Sequence, residues 1–124
     1  MARRTSLADD PITVTRSSEN DAALVCPVAR TASIVSGKWT LLIIRDLTTG
    51  TKRFSELERS LVGISPKTLS ERLSALESEG IVDRRTYAEV PPKVEYSLTE
   101  KGQALFVLIE DMRHYGRRWL GCDG

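Results

Sequence analysis

The sequence predicts a mainly α-helical fold that includes a small β-ribbon. A helix with a strong start signal begins at Ser65 and stops at Gly80, and Leu69 opens an apolar stripe along it. Directly after it, residues 82–86 and 94–98 show the alternation of β-strands, and the sequence Glu-Val-Pro-Pro between them predicts a stiff tip. A capped helix followed by such a ribbon is typical of a winged helix-turn-helix domain.

The composition is that of an ordinary soluble protein with one domain. The chain has 124 residues, of which 40% are apolar and 28% charged. It contains no apolar run of about eighteen residues and no apolar segment of a secretory signal near its start, so we expect no membrane contact and a cytoplasmic location. The net charge of +1 is low for a DNA-binding protein, so binding would depend on how charge is distributed over the surface.

The N-terminal part of the chain is predicted to contain an arm and one helix. Residues 1–21 are polar and lack sustained periodicity, which predicts a flexible arm, and residues 22–124 form the predicted domain. The arginines of the arm either contact DNA phosphates or belong to an inert tail. The first helix is predicted to start after Cys26, with Pro27 at its first position, and to end at Gly37.

Cys26 is a candidate for chemistry because of its position. The positive end of the helix dipole favours the thiolate form of a cysteine placed at a helix N-terminus. This position is consistent with a sensor of oxidants or electrophiles. The alternative is a buried, small hydrophobic side chain with no redox role, and the sequence leaves both interpretations open.

The next two helices are predicted to build the centre of the domain and the first half of the helix-turn-helix. A helix that begins at Lys38 is apolar almost all round, which predicts a central position with Trp39 in the core. Ser55 and Glu58 have the spacing of a capping box and predict the start of a short helix. A turn that contains Gly63 then leads into the helix from Ser65.

The polar side of that helix is the predicted DNA-reading surface. At about 100° per residue, the side chains opposite Leu69 point outward, where they reach base edges or phosphates. The candidates on this helix are Ser65, Lys67, Thr68, Ser70, Glu71 and Arg72. Lys52 and Arg53, before the short helix, either clamp the DNA backbone or are solvated loop charges. The alternative for the whole surface is the solvated face of an ordinary amphipathic helix.

The last helix is predicted to mediate dimerisation. Thr99 is its predicted cap, and its apolar residues recur at intervals of three and four. Because the core of so small a domain has little room for another apolar stripe, we predict a homodimer built from the first and last helices. The predicted interface residues are Ala29, Leu105, Leu108, Ile109, Met112, Tyr115 and Trp119. The alternative is that this helix folds back on its own domain.

Six motifs occur in order along the chain. They are Cys-Pro-Val at 26–28, Gly-Lys-Trp-Thr-Leu-Leu-Ile at 37–43, Arg-Phe-Ser-Glu-Leu at 53–57, Gly-Ile-Ser-Pro-Lys-Thr-Leu-Ser-Glu-Arg-Leu at 63–73, Tyr-Ala-Glu-Val-Pro-Pro-Lys-Val-Glu-Tyr at 87–96 and Leu-Thr-Glu-Lys-Gly at 98–102. Together they resemble the HxlR-type transcriptional regulators, bacterial winged-helix proteins related to the MarR group. The resemblance covers roughly residues 26–119. It implies a dimeric repressor or activator on a pseudo-palindromic operator of double-stranded DNA.

The resemblance also implies roles for particular residues. The helix from Ser65 to Glu79 would read the major groove, and the ribbon would reach the minor groove or backbone through Arg84, Arg85 and Lys93. Some members of this family sense quinones, aldehydes or oxidants through a cysteine at the position of Cys26. Such sensors sometimes pair it with a cysteine of the partner chain, for which Cys122 is the candidate. A disulfide requires Cα atoms within about 7 Å, a distance that the sequence leaves open.

The sequence does not predict an enzyme. It lacks a glycine-rich phosphate loop and a nucleophile elbow, and its one histidine, His114, lies on the predicted dimerisation helix. Cys26, Cys122 and His114 are too widely spaced for a zinc site, and we expect neither a metal nor a cofactor. Two alternatives remain. One is a regulator gated by a small ligand in a cleft between the dimer helices and the winged domain, and the other is a winged-helix module that binds proteins rather than DNA.

Overall fold

The computed structural model describes residues 26–123. They fall into two units, divided after Ser36, and each unit is a separate structural body. The arm predicted for residues 1–21 lies outside the described residues.

The first unit contains helix α1, Pro27–Ile34. Its N-cap is Cys26 and its first residue is a proline, as the sequence predicts. The helix ends at Ile34 rather than at Gly37, because the chain leaves helical geometry at Val35. Gly37 has a φ of +88° and instead precedes the next helix, so its conformational freedom serves a helix start and not a helix end.

Over residues 37–123, the second unit combines five further helices with one small sheet. Its elements are α2 (Lys38–Leu47), β1 (Lys52–Arg53), α3 (Phe54–Ser60), α4 (Pro66–Ser78), β2 (Val82–Tyr87), β3 (Lys93–Leu98), α5 (Glu100–Gln103) and α6 (Phe106–Trp119). The strands form one antiparallel sheet in the order β1-β3-β2. The fold is therefore the predicted mainly helical, winged helix-turn-helix arrangement. Across residues 26–123, no helix has the length and apolar character needed to span a membrane.

Strand β1 is the element that the sequence prediction lacks. The sequence predicts a ribbon of two strands, and the structure adds a third at its edge, where Lys52 pairs with Tyr96 and Arg53 with Glu95. A strand of two residues is too short to show any periodicity, so it becomes visible only through its partner β3.

Helix α2 lies at the centre of the core, as predicted. Ile43, Ile44 and Leu47 are at most 1% exposed, and α2 packs against α3, α4, β3 and α6. The other buried apolar residues of this unit are Leu57, Leu61, Ile64, Leu69, Leu73, Leu76, Ile81, Val82, Leu98 and Ile109. Trp39 is only half-buried, and the Lys38 ammonium lies 4.5 Å from the centre of its ring. The side chain therefore lies at the edge of the core, whereas the sequence predicts a position inside it.

The start of α3 differs from the predicted capping box. The helix begins at Phe54, so Ser55 is already inside it and cannot act as its cap. The backbone N–H of Arg53 donates instead to Glu56 Oε1 at 2.7 Å, and Glu58 has no part in the start. An arginine side chain has no acceptor atom, so only the glutamate half of a capping box exists here.

Both ends of α4 are where the sequence predicts them. The Thr68 N–H donates to Ser65 Oγ at 3.1 Å, which satisfies one of the unpaired donors of the first turn. At the other end Gly80 has a φ of +76°, and the Ile81 N–H donates to the Leu76 carbonyl at 2.9 Å. This bond closes a Schellman motif, which ends the helix and turns the chain into β2.

The predicted long C-terminal helix is two helices. Thr99 caps only the short α5, where its Oγ1 accepts the Gly102 N–H at 3.1 Å. The Leu105 N–H then donates to the Gly102 carbonyl at 3.0 Å, a tighter bond than the helical pattern, and α6 begins afterwards. Gly102 is buried, and a Cβ at this position would collide with the Ile81 carbonyl oxygen. The interruption therefore follows shortly after Gly102, which packs against the backbone just before β2.

Candidate nucleic-acid interface

Helix α3, the turn after it and helix α4 form the helix-turn-helix. Leu57 and Leu61 are at most 2% exposed and hold α3 on the core. Gly63 has a φ of +96°, which favours glycine, and the Ile64 N–H donates to the Leu61 carbonyl at 3.0 Å. The apolar stripe of α4 is fully covered, so the orientation of its polar side is determined by the core.

The predicted reading residues on α4 lie where the helical geometry places them. Lys67, Ser70 and Glu71 are exposed, while Thr68 and Arg72 are half-buried at the flanks. Within residues 26–123, neither Lys67 nor Arg72 takes part in an ion pair. Both cations are therefore available to an anionic partner.

The first turn of α4 also contains two hydroxyl groups with different roles. Ser65 Oγ accepts the Thr68 N–H and donates to Thr68 Oγ1 at 3.0 Å, so this hydroxyl is used to start the helix. The Thr68 hydroxyl keeps its own hydrogen, which a base edge or a phosphate oxygen can accept. Ser65 is therefore mainly a cap, and Thr68 is the better contact.

Alternation along the strands divides the basic side chains of the wing between the two faces of the sheet. Val82 and Leu98 are buried, and the face that they share, here the inner face, also carries Lys52 and Arg84 by register. The opposite, outer face carries Arg53, Asp83, Arg85, Lys93 and Glu95. Lys52 and Arg53, which the sequence suggests as a joint clamp, therefore point to opposite sides of the sheet.

The two faces differ in how their cations are compensated. On the outer face, Lys93 Nζ lies 3.7 Å from the Glu95 carboxylate and 4.6 Å from the centre of the Tyr87 ring, which holds this side chain along the strand. On the inner face Arg84 is exposed and faces Tyr96 across the strands, and no residue among 26–123 forms an ion pair with it. Arg84, like Lys52 on the same face, thus has no ion pair among residues 26–123, and it lies on the side of the sheet where α4 packs.

The predicted dimer residues lie in different environments. Ile109 is buried within the chain, so it does not belong to an exposed face, and Leu105 and Leu108 are half-buried. Met112, Tyr115 and Trp119 are exposed. Ala29, in the first unit, is half-buried. The sequence prediction does not include three further exposed apolar side chains at or near α6, which are Phe106, Val107 and Leu120.

The two cysteines belong to different units, and both are free thiols. Cys26 is half-buried, and its carbonyl accepts the Arg30 N–H at 2.9 Å in the first turn of α1. Cys122 is exposed and lines an apolar groove of about 240 Å³ together with Leu41 and Met112. In the part of the chain that the structure describes, no three His, Cys, Asp or Glu side chains are grouped as metal ligands.

Comparison with protein families and with known sequences identifies relatives of this chain. Residues 34–123 match the family model described as HxlR-like helix-turn-helix. A protein of Synechocystis sp. named as an HTH-type transcriptional regulator, sll1512, is 40% identical over 96 residues, which cover 77% of this chain and 71% of the relative. The regulator YvaP of Bacillus subtilis is 40% identical over 97 residues, covering 77% of this chain and 90% of the relative.

Solved structures show the same likeness. The redox regulator HypR in its reduced form has a TM-score of 0.72 and 40% sequence identity, over 74% of this chain and 91% of that one. The reduced form of the transcriptional regulator YodB from B. subtilis has a TM-score of 0.67 and 41% identity, over 77% of this chain and 94% of that one. A structure of diamide-treated YodB also matches this chain.

Proposed function

The chain belongs to the HxlR-type helix-turn-helix transcriptional regulators, and we propose that it binds a pseudo-palindromic operator as a homodimer and responds to oxidants or electrophiles through Cys26. Its place of action is then the cytoplasm, where the operator DNA is. The observation that carries the proposal is the reading helix α4: all of its large apolar residues are covered, while its polar side is exposed.

In the proposed complex, α4 enters the major groove with its first turn foremost. Lys67 and Thr68 then reach base edges, and Arg72 contacts the flanking backbone. Arg84 on the inner face of the wing lies on the same side of the sheet as α4 and provides a phosphate contact next to the groove. The cations that bind DNA are thus few, and their position matters more than the net charge of +1.

The exposed apolar side chains of α6 support a homodimer. Met112, Tyr115 and Trp119 are 47%, 60% and 63% exposed and recur at intervals of three and four residues. Exposed apolar patches and aromatic side chains mark protein–protein interfaces. A two-fold dimer places two copies of α4 about 34 Å apart, in successive major grooves, and doubles the cationic surface that faces the DNA.

The proposed function is tested by DNA selection followed by titration. Genomic fragments are selected with the purified protein, and one selected duplex and its scrambled version are titrated over a series of salt concentrations. We expect tighter binding of the selected duplex, two protein chains on each site, and a linear fall of log K with log salt. Equal and weak binding of both duplexes would favour the protein-interaction module instead.

The response to oxidants is proposed on the position of Cys26 and on the relatives. Cys26 is the N-cap of a helix and carries a free thiol, and the similar HypR is named a redox regulator. A disulfide forms when two thiols give up two protons and two electrons, here to diamide, and Cys122 of the second chain is the candidate for the other thiol.

The Cys26→Ser variant tests this part of the proposal. We expect diamide to lower the operator affinity of the unmodified protein and to leave the affinity of Cys26→Ser unchanged. Cys122→Ser is the matched variant. If diamide leaves the operator affinity of both variants unchanged, the two thiols act in one disulfide. A Cys26→Ser protein that still leaves the operator after diamide treatment would show that this thiol is not the switch.

A further inference from the structure

A second surface of the molecule, which shares only Lys52 with the residues predicted to contact DNA, has features of a ligand site. It is a cleft of about 520 Å³ between the end of α2, strand β1, helix α3 and helix α6, all within the second unit. Small-molecule sites usually have volumes of roughly 300–1,000 Å³, so the cleft is large enough to hold a small ligand.

The walls of this cleft carry more positive than negative charge. Its charged lining residues are Arg45, Asp46, Lys52, Glu56, Arg59 and Arg113, four cations against two carboxylates, a net charge of +2. Arg45 and Asp46 neutralise each other through a bond of 2.8 Å, and Glu110 outside the cleft accepts from Arg113 Nε at 3.2 Å. Lys52 and Arg59 take part in no ion pair within residues 26–123.

The uncharged part of the lining is mainly polar. The hydroxyls of Thr48 and Thr49 donate to the carbonyls of Arg45 and Asp46, so their oxygen lone pairs remain able to accept a hydrogen bond. Ser60 adds a further hydroxyl beside Arg59. The cleft therefore presents cations for an oxyanion together with acceptors for hydroxyl groups.

We propose that this cleft binds a small hydrophilic oxyanion, a carboxylate or a phosphate monoester that also carries hydroxyl groups. The guanidinium of Arg59 and the ammonium of Lys52 provide charge-assisted hydrogen bonds to the anion, and Arg113 closes the site from α6. Of the residues predicted to contact DNA, Lys52 lines the cleft and the candidates on α4 do not, so a bound ligand leaves the reading side of α4 open to DNA.

The position of the cleft couples the ligand to DNA binding, a step that rests on the proposed function. Its walls come from the first helix of the helix-turn-helix, from the edge strand of the wing and from the proposed dimer helix. A ligand held between them favours one arrangement of α6 relative to α3, and therefore one spacing of the two reading helices. If the ligand binds the protein more tightly at one spacing than at the other, the free energy of operator binding can change by up to the difference between these two ligand-binding free energies.

In the test, the full chain without DNA is titrated with small probes at constant ionic strength. Binding is monitored by the shifts of the backbone amide signals in NMR spectra. The probes are glycerol 1-phosphate, glycerate and, as the neutral match, glycerol. We expect saturable shifts at residues 48–52, 56–60 and around 113 with at least one charged probe and none with glycerol, and the two charged probes separate a phosphate site from a carboxylate site. Arg59→Gln should raise the Kd of that probe about tenfold, and Arg118→Gln, which removes the same charge outside the cleft, should leave it unchanged.

The outcomes separate this site from the proposed function. No saturable shift with either charged probe, shifts spread over all basic residues, or an unchanged Kd in Arg59→Gln would overturn the site. If the probe binds in the cleft and operator affinity stays the same at saturation, the coupling is overturned. If the probe binds and no DNA is bound under any condition, the site is supported and the proposed function fails.

Discussion

Helices α4 and α6 are both amphipathic, but the chain covers the apolar side of only one of them. On α4, Leu69, Leu73 and Leu76 are at most 2% exposed. On α6, one residue is buried, Ile109, while larger side chains such as Trp119 remain in contact with solvent. The difference shows which surface each helix offers. α4 is held rigidly and presents polar groups, and α6 is left with an apolar surface that still has to be covered.

The two helices therefore depend on different partners. The position of α4 is determined within the chain, so a groove reader can be complete before DNA arrives. The position of α6 relative to a second chain sets how far apart two copies of α4 lie. Mutations on the covered side of α4 should act on folding, and mutations on the exposed side of α6 should act on assembly.

The largest expected effect is on folding, from Leu73→Ala on α4. The side chain is 2% exposed, and truncating a buried leucine costs about 2–5 kcal/mol of unfolding free energy because burial is lost and a cavity remains. Urea unfolding at a fixed protein concentration measures it. Ser74→Ala, one residue on and exposed, is the control and should change stability by less than about 0.5 kcal/mol. Similar effects of both variants would show that α4 is not anchored by its apolar side.

The ends of α4 could be predicted from the sequence because their signals are local. Ser65 caps, the next residue is a proline, and Gly80 adopts the left-handed conformation that follows a helix. The division of the last helix into α5 and α6 could not be predicted. The break is a tighter turn in which the Leu105 N–H donates to the Gly102 carbonyl, and it leaves unchanged the apolar spacing from which the sequence predicts one helix.

The second effect is on assembly, from Trp119→Ala on α6. Trp119 is 63% exposed in the single chain, and aromatic side chains at the centre of an interface often contribute about 2 kcal/mol or more. We therefore expect the Kd of the dimer to rise at least roughly thirtyfold, as measured by sedimentation over a range of concentrations. Asp111→Ala, an exposed polar position on the same helix, is the control. A dimer whose Kd is the same in both variants would place the interface away from α6.

The sites on α4 and on the wing could be predicted to different degrees. On α4 a single helical period predicts which side chains are exposed, and the structure agrees for Lys67, Ser70 and Glu71. On the wing the sequence names the basic residues but not their faces. The faces follow only from the pairing of β1 and β2 with β3, and this register separates Lys52 from Arg53.

The smallest expected effect separates two adjacent arginines of the wing. Arg84 lies on the inner face, on the side of α4 and without a carboxylate, whereas Arg85 lies on the outer face opposite Glu95. If the wing contacts DNA beside α4, Arg84→Ala should weaken binding about equally for all sequences and reduce the salt slope by about two, because each chain of the dimer contributes one Arg84. Arg85→Ala removes the same charge one residue away, and we expect a smaller loss because Arg85 lies on the outer face of the sheet, away from α4. Titration of one duplex at several salt concentrations measures both variants. A larger loss for Arg85→Ala would show that the outer face of the wing meets the DNA, and the inner-face contact proposed for Arg84 would then be wrong.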